Sequence, residues 1–296
     1  MAQILFGKVV ADKIYGKIKK DLEVLDFKKS KPILAIISIG NDPMSNKYID
    51  IKVKKAKEFE IKTQIIQYPS NISQETIIGK INDLNKSSLV KGIIVQFPLS
   101  KHIDASKVVW AIDPRKDVDG FQMRHFRPPA PMAVIDLLLH YKISVLRKKV
   151  ALIGYSALVG KPLATLLSKQ GANIYIYDKE NPIIGNKIKQ ADIVISAVGI
   201  PNIITKDLVT SKQIVIDIGT TCEGNTVVGD VDFKNVESLV KAISPVPGGV
   251  GVVTVAQLFN NFVKAAKIQP DREAQYSQQL KVVSGLTNGP LGKRKK

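Results

Sequence analysis

The sequence predicts an α/β protein made of two units in tandem. Three observations carry that expectation. Short continuous apolar runs alternate with stretches of helical period, the pattern of parallel strands covered on both faces. The alternation is interrupted once, by the turn- and proline-rich stretch from Pro114 to Pro131, a candidate domain junction. It then resumes at Lys149-Val150-Ala151-Leu152-Ile153-Gly154.

Taken in order, Val9 to Leu25 places Val10, Ile14, Ile18 and Leu22 on one helical stripe. Ile33-Leu34-Ala35-Ile36-Ile37 reads as a buried strand, and the turn Gly40-Asn41-Asp42-Pro43 leads into a helix running through Phe59. A second strand is expected over Ile61–Gln67, then a helix from Ser73 to Leu84 with Ser73 as its cap and Glu75 in its first turn. Gly92-Ile93-Ile94-Val95-Gln96 is a third strand, closed by Pro98. After the junction a helix is expected over Val134–Tyr141, followed by strands at Lys149–Gly154, Asn173–Tyr177, Ile193–Ala197 and Ile214–Ile218. The last regular element expected is a helix from Val255 to Lys267 with Thr254 as its cap. Beyond Gln269 the chain is polar, and its basic end, Gly292-Lys293-Arg294-Lys295-Lys296, reads as a mobile tail.

Composition narrows the function classes. The 296 residues suffice for a sizeable core. No stretch has the ~20 consecutive apolar residues of a membrane span, and the amino terminus lacks the basic segment and cleavage site of a signal peptide. Cys222 is the only cysteine, so no intrachain disulfide is possible, which suits a reducing cytosol. The formal net charge is +18. The basic residues are spread along polar helix faces, as in Lys17-Ile18-Lys19-Lys20, without the interleaved aromatic rings of a stacking platform. An anionic small molecule would benefit from the same field, and no nucleic-acid partner is expected.

Several stretches carry chemistry. On the helix after the first strand, Ser45, Tyr48 and Lys52 share one face. A phenol and an amine one turn apart can share a proton, provided burial or a neighbouring cation lowers the lysine pKa; a solvated Lys on a Lys-rich helix is the plain alternative. Gln96 ends a strand where open parallel sheets place their ligand crevice. Lys116-Asp117-Val118-Asp119-Gly120 sets two acids in a tight loop, able to bind paired N–H groups or simply to make a turn. Gly154-Tyr155-Ser156-Ala157-Leu158-Val159-Gly160-Lys161-Pro162 lies between a strand and a helix, where glycines and a helix amino terminus suit a phosphate, although the spacing is not G-x-G-x-x-G. At the end of the following strand Asp178 is placed for a ribose 2′-hydroxyl, with Lys179 beside it for a 2′-phosphate. Pro245-Val246-Pro247-Gly248-Gly249-Val250-Gly251 is a constrained loop against which a ligand can lie. His102, His125 and His140 have no metal-ligand spacing, and no metal is expected.

Together these residues resemble the bifunctional methylenetetrahydrofolate dehydrogenase/methenyltetrahydrofolate cyclohydrolase family, from about Gly7 to Ala266 and in the family's order. The motifs are Ser45-x-x-Tyr48-x-x-x-Lys52; Val95-Gln96-Phe97-Pro98-Leu99; Lys116-Asp117-Val118-Asp119-Gly120; Gly154-x-Ser156-x-x-Val159-Gly160-Lys161-Pro162; Gly229-Asp230-Val231; and Pro245-Val246-Pro247-Gly248-Gly249-Val250-Gly251. The resemblance implies two α/β domains with the active site in the cleft between them. It places a folate-binding catalytic domain over 1–121 and a Rossmann-like NAD(P)-binding domain over 122–268, with 255–296 packing back on the first. It implies Lys52 as the cyclohydrolase acid/base, Tyr48 stacking on the folate, Gln96 assisting Lys52, and Asp119 anchoring the pterin. Val95, Pro98, Leu99, Pro247, Gly248 and Gly249 would complete the substrate site. Gly154, Tyr155, Ser156, Val159, Gly160, Asp178, Lys179 and Thr220 would meet the dinucleotide. A cytoplasmic homodimer in one-carbon metabolism is implied.

Departures fall on the cofactor side. The family usually has Arg, reaching a 2′-phosphate, where this chain has Tyr155. Its Cys-His-Ser-x-Thr run is here Tyr177-Asp178-Lys179-Glu180-Asn181, and Asp178 would repel a 2′-phosphate. Pro128-Pro129-Ala130-Pro131 loses a hydroxyl, Ala133 replaces a Gly, and Val252-Val253 replaces Pro-Met. NADP is the family default and NAD its competitor. A cyclohydrolase that has lost oxidation, or a non-catalytic basic binding protein, are the alternatives; the intact Tyr48, Lys52, Gln96 and Asp119 argue against the second of these.

Overall fold

A computed structural model of the protein describes residues 2–25, 31–182, 185–224 and 226–269; the basic carboxyl-terminal stretch lies outside them. In order, the elements of the first half are β1 (Gln3–Ile4), α1 (Lys8–Leu25), β2 (Ile33–Ile39), α2 (Pro43–Glu58), β3 (Lys62–Tyr68), α3 (Gln74–Lys86), β4 (Val90–Val95) and α4 (Ala105–Ala111). The second half has α5 (Pro129–His140), β5 (Lys149–Ile153), α6 (Gly160–Lys169), β6 (Asn173–Tyr177), α7 (Gly185–Ile188), β7 (Ile193–Ser196) and β8 (Ile214–Asp217). A hairpin of β9 (Thr221–Glu223) and β10 (Thr226–Val228) follows, then α8 (Phe233–Val236), β11 (Ala242–Ile243) and α9 (Val250–Ile268).

Two parallel sheets result, one of order β3-β2-β4 and one of order β1-β11-β8-β7-β5-β6. The unbroken apolar runs are the doubly covered strands: β4 is buried throughout and β2 nearly so, whereas the edge strand β3 is partly exposed along its length. Ser73 caps α3 as expected, accepting from the Thr76 N–H.

Three expectations need correction. The amino terminus does not belong wholly with the first unit, because β1 pairs with β11 in the six-stranded sheet. Helix α5 begins at Pro129, ahead of the expected start at Val134, because prolines that cannot continue a helix are well suited to open one. Helix α9 begins at Val250, so Thr254 is inside it, and its hydroxyl donates to Val250 O instead of capping.

Helix α9 joins the units. Val250 and Val253 enter the core of the large sheet, while Leu258, Phe259 and Phe262 enter the core of the small one. Helix α1 does the same with Val10 and Ile18. Complete burial of Phe259 and Phe262 contributes about 2–3 kcal/mol each. Gly92 permits the contact, since a Cβ there would stand 2.8 Å from both the Phe262 ring and the Val118 side chain. The carboxyl ends of both sheets are thereby held facing a common cleft.

Candidate active site

Helix α2 sets the catalytic face. Asp42 caps it by accepting from Ser45 N at 2.7 Å, with Pro43 in its first turn. The expected common face of Ser45, Tyr48 and Lys52 is present, and each side chain has a different partner. The Ser45 hydroxyl donates to Phe97 O at 3.1 Å, tying α2 to the loop after β4. Lys52 Nζ donates to Gln96 Oε1 at 2.8 Å, and Gln96 Nε2 is held by Phe97 O at 3.0 Å. Tyr48 OH donates to Thr220 Oγ1 at 2.8 Å, across the cleft from the loop after β8.

The electrostatics favour proton transfer at Lys52. Burial lowers the pKa of its ammonium, and the nearby Asp119 carboxylate opposes that shift. Burial likewise raises Asp119, and Lys52 opposes it. The two acids of the 116–120 loop therefore have different tasks. Asp119 faces Lys52, whereas Asp117 is buried, accepts from Gln122 N at 2.8 Å and is raised to about 6 chiefly by burial. Lys116 turns away from the cleft and donates to Leu84 O, Asn85 O and Ser87 O, capping the end of α3.

A cavity of about 680 Å³ lies between the units. Tyr48 and Ile51 from α2 form one wall, Asp217 and Thr220 another, and Pro247-Gly248-Gly249 a third. Gly248 has φ +107°, outside the range comfortable for other residues. Val95 is buried in β4, and Pro98 follows a cis peptide. Leu99 is half-buried and packs on the core beneath this sheet.

The dinucleotide side is built from backbone. The turn after β5 starts at Gly154, whose N–H is bonded to Tyr177 O at 2.8 Å. Among the described residues, Val159 N and Gly160 N donate to the Ser156 hydroxyl at 3.3 and 3.5 Å, and α6 begins there without a side-chain cap from Val159. Weakly engaged N–H groups at a helix amino terminus, beside the carboxyl ends of parallel strands, fit the pyrophosphate of a nicotinamide dinucleotide. Tyr155 adds no charge, and its ring instead lies 5.6 Å from Lys161 Nζ. Asp178 is half-buried in a turn and Lys179 is exposed. Thr220, expected at the dinucleotide, is the Tyr48 partner, so it links the two sides of the cleft.

Two buried carboxylates were given no role in the sequence reading: Asp230 stood there only within the Gly229-Asp230-Val231 motif, and Asp217 was not singled out. Asp230 is fully buried and accepts from Ser196 Oγ at 2.7 Å and from the successive N–H groups of Val198, Gly199 and Ile200 at 2.8–2.9 Å. It fixes the loop after β7, which rests on Gly154. Asp217 accepts in turn from Asp230 N and Val231 N, and burial with the neighbouring Asp230 raises its pKa to about 7. The available signal was glycine placement: a Cβ on Gly219 would stand 1.9 Å from the Asp230 carboxylate, and one on Gly229 would stand 2.0 Å from Asp217.

Comparison with known proteins places this geometry. Residues 5–119 match a family model described as the tetrahydrofolate dehydrogenase/cyclohydrolase catalytic domain. Residues 128–270 match the NAD(P)-binding domain of the same family. The bifunctional protein FolD of a Nitratiruptor species is 43% identical over 281 residues, covering 90% of this chain and 98% of the relative. Among solved structures, the bifunctional FolD methylenetetrahydrofolate dehydrogenase/cyclohydrolase of Campylobacter jejuni superposes with a TM-score of 0.84 at 36% identity, covering 91% of this chain and 100% of that one. The Trypanosoma brucei enzyme, solved with NADP and an inhibitor, gives a TM-score of 0.83 at 29% identity, covering 90% and 97% of the two chains.

Proposed function

The chain belongs to the tetrahydrofolate dehydrogenase/cyclohydrolase family, and we propose that its two activities meet at the face of α2 that carries Tyr48 and Lys52. The reactions are oxidation of 5,10-methylenetetrahydrofolate to the 5,10-methenyl form with a nicotinamide dinucleotide, then hydrolysis to 10-formyltetrahydrofolate. The observation that carries the site assignment is the desolvated Lys52 Nζ, held by Gln96 Oε1 at 2.8 Å beside Asp119.

The bound dinucleotide supplies the hydride acceptor. The chain's own residues position the folate: Asp119 accepts from N–H groups of the pterin, and the Tyr48 ring lies along it. Val252 and Val255 give the cavity an apolar wall. No protein base is needed in the oxidation, because the folate nitrogens stabilise the cation that forms. In the hydrolysis, water adds to the methenyl carbon and Lys52 takes its proton. That proton then passes to N5 as the C–N5 bond breaks, while the carbinol hydroxyl releases its remaining proton to solvent and becomes the carbonyl of the formyl group left on N10. A lysine whose ammonium pKa is lowered by burial suits both transfers.

The domain division supported by the sheets and family boundaries is a folate unit around β2–β4 and a dinucleotide unit around β5–β8. A cytoplasmic homodimer is the proposed setting; among the described residues no helix is long and apolar enough to cross a membrane. The test is absorbance at the nicotinamide and methenyl bands with methylenetetrahydrofolate and either dinucleotide. Cofactor reduction followed by methenyl decay is expected. Decay of added methenyltetrahydrofolate without any cofactor reduction would reduce the protein to a cyclohydrolase.

A further inference from the structure

We propose that Asp178 receives the adenosine ribose 2′-hydroxyl of the dinucleotide, and that this chain therefore selects NAD over NADP. The inference rests on the dehydrogenase reading above and specifies its cofactor.

Position comes first. Strand β6 ends at Tyr177, whose carbonyl accepts from Gly154 N at 2.8 Å. Asp178 thus leaves the sheet directly beside the first glycine of the phosphate-type turn. In a parallel sheet of this kind, a dinucleotide with its pyrophosphate on the turn brings its adenosine ribose to the end of the next strand.

Orientation comes second. Asp178 Oδ1 accepts from Glu180 N at 3.0 Å and from Asn181 N at 2.9 Å, while Asp178 N donates to Asn181 O at 2.9 Å. The side chain is thereby fixed by its own turn before any ligand arrives. Its Oδ2 has no hydrogen bond among the described residues. One carboxylate oxygen is committed to the scaffold and one acceptor is left over, which a ribose hydroxyl can fill.

Charge decides the selection. A hydroxyl donates to a carboxylate, whereas a 2′-phosphate brings like charge against it. The cations able to offset that repulsion are Lys179 and Lys161. Lys179 is exposed, and Lys161 lies over the Tyr155 ring at 5.6 Å. Neither forms an ion pair with Asp178 among the described residues. Exposed cations are screened by solvent and salt, and a carboxylate adjoining the ribose is the dominant local charge.

Calorimetric titration of the full chain with NAD and with NADP, in the absence of folate, tests the assignment without relying on turnover. NAD is expected to bind at least about tenfold more tightly than NADP. Asp178→Asn keeps an acceptor for the two turn N–H groups but removes the charge, and should move the NAD:NADP ratio towards NADP by at least about tenfold. Asp178→Ser should move it the same way, with thermal unfolding checking that both variants fold. NADP binding as tightly as NAD to the unaltered chain, or a ratio unmoved by both variants, overturns the proposal. So does a selective loss of NADP affinity in Lys179→Gln by a chain that prefers NADP, which would give the subsite to Lys179. Binding of neither dinucleotide would defeat the dehydrogenase reading itself, a result distinct from a wrong choice between the two.

Discussion

The two sides of the cleft are held together by different means. On the α2 side, side chains hold side chains: Lys52 to Gln96 and Tyr48 to Thr220. On the β5 side, buried carboxylates hold the loops by accepting from their backbone N–H groups. The first arrangement requires fixed residue types at fixed spacing. The second depends less on residue type at positions such as Tyr155, because its internal bonds run to main chain. The departures from the family named above fall on this second side.

The largest test of that contrast is Asp230→Ala. It strips the acceptor from three part-buried N–H groups and the buried Ser196 hydroxyl, and should cost about 2–4 kcal/mol in denaturant unfolding. In the folded fraction, dinucleotide affinity should fall while methenyl hydrolysis persists. Equal loss of both would merge the two sides into one unit.

Asp217 sharpens the comparison through pH. Its pKa is raised from 3.8 to about 7, so between those values the folded chain keeps a proton that the unfolded chain releases. The contribution to stability is full below the unfolded value and is lost as pH rises through 7. The change is on the order of 2–4 kcal/mol. Unfolding measured from pH 4 to 8 should show this fall, and Asp217→Asn should flatten it whatever its effect on absolute stability.

Smaller effects are expected on the α2 side. Gln96→Leu removes the Lys52 acceptor and should slow hydrolysis by about tenfold to a hundredfold, with the pH–rate profile displaced. Thr220→Val removes the Tyr48 acceptor, worth about 1 kcal/mol, and should change the rate by less than about tenfold. A Thr220 effect seen only in dinucleotide binding would return that residue to the cofactor.

How much of this was legible in the sequence follows the same division. The apolar runs of β2 and β4 located the small sheet, and the spacing of Ser45, Tyr48 and Lys52 located their common face. Strands too short to show a period were not legible: β1 and β11 have two residues each and are defined by their pairing, β1 with β11 and β11 with β8 as well. The start of α5 was hidden because proline reads as a breaker unless it is known to open the helix. The roles of Asp217 and of Asp230, which the sequence offered only as part of a motif, were hidden for another reason. Their partners are main-chain N–H groups from distant segments, which leave no mark on residue type beyond the glycines that give them room.

The most direct measurement is a pair of rates for Lys52→Met, dinucleotide reduction and methenyl hydrolysis, on the same preparation. Hydrolysis should fall by about 10²–10⁴, the contribution of a positioned acid/base, while hydride transfer is largely retained. Equal loss of both rates, or hydrolysis left intact, would contradict the assignment of Lys52 as the group that moves the proton.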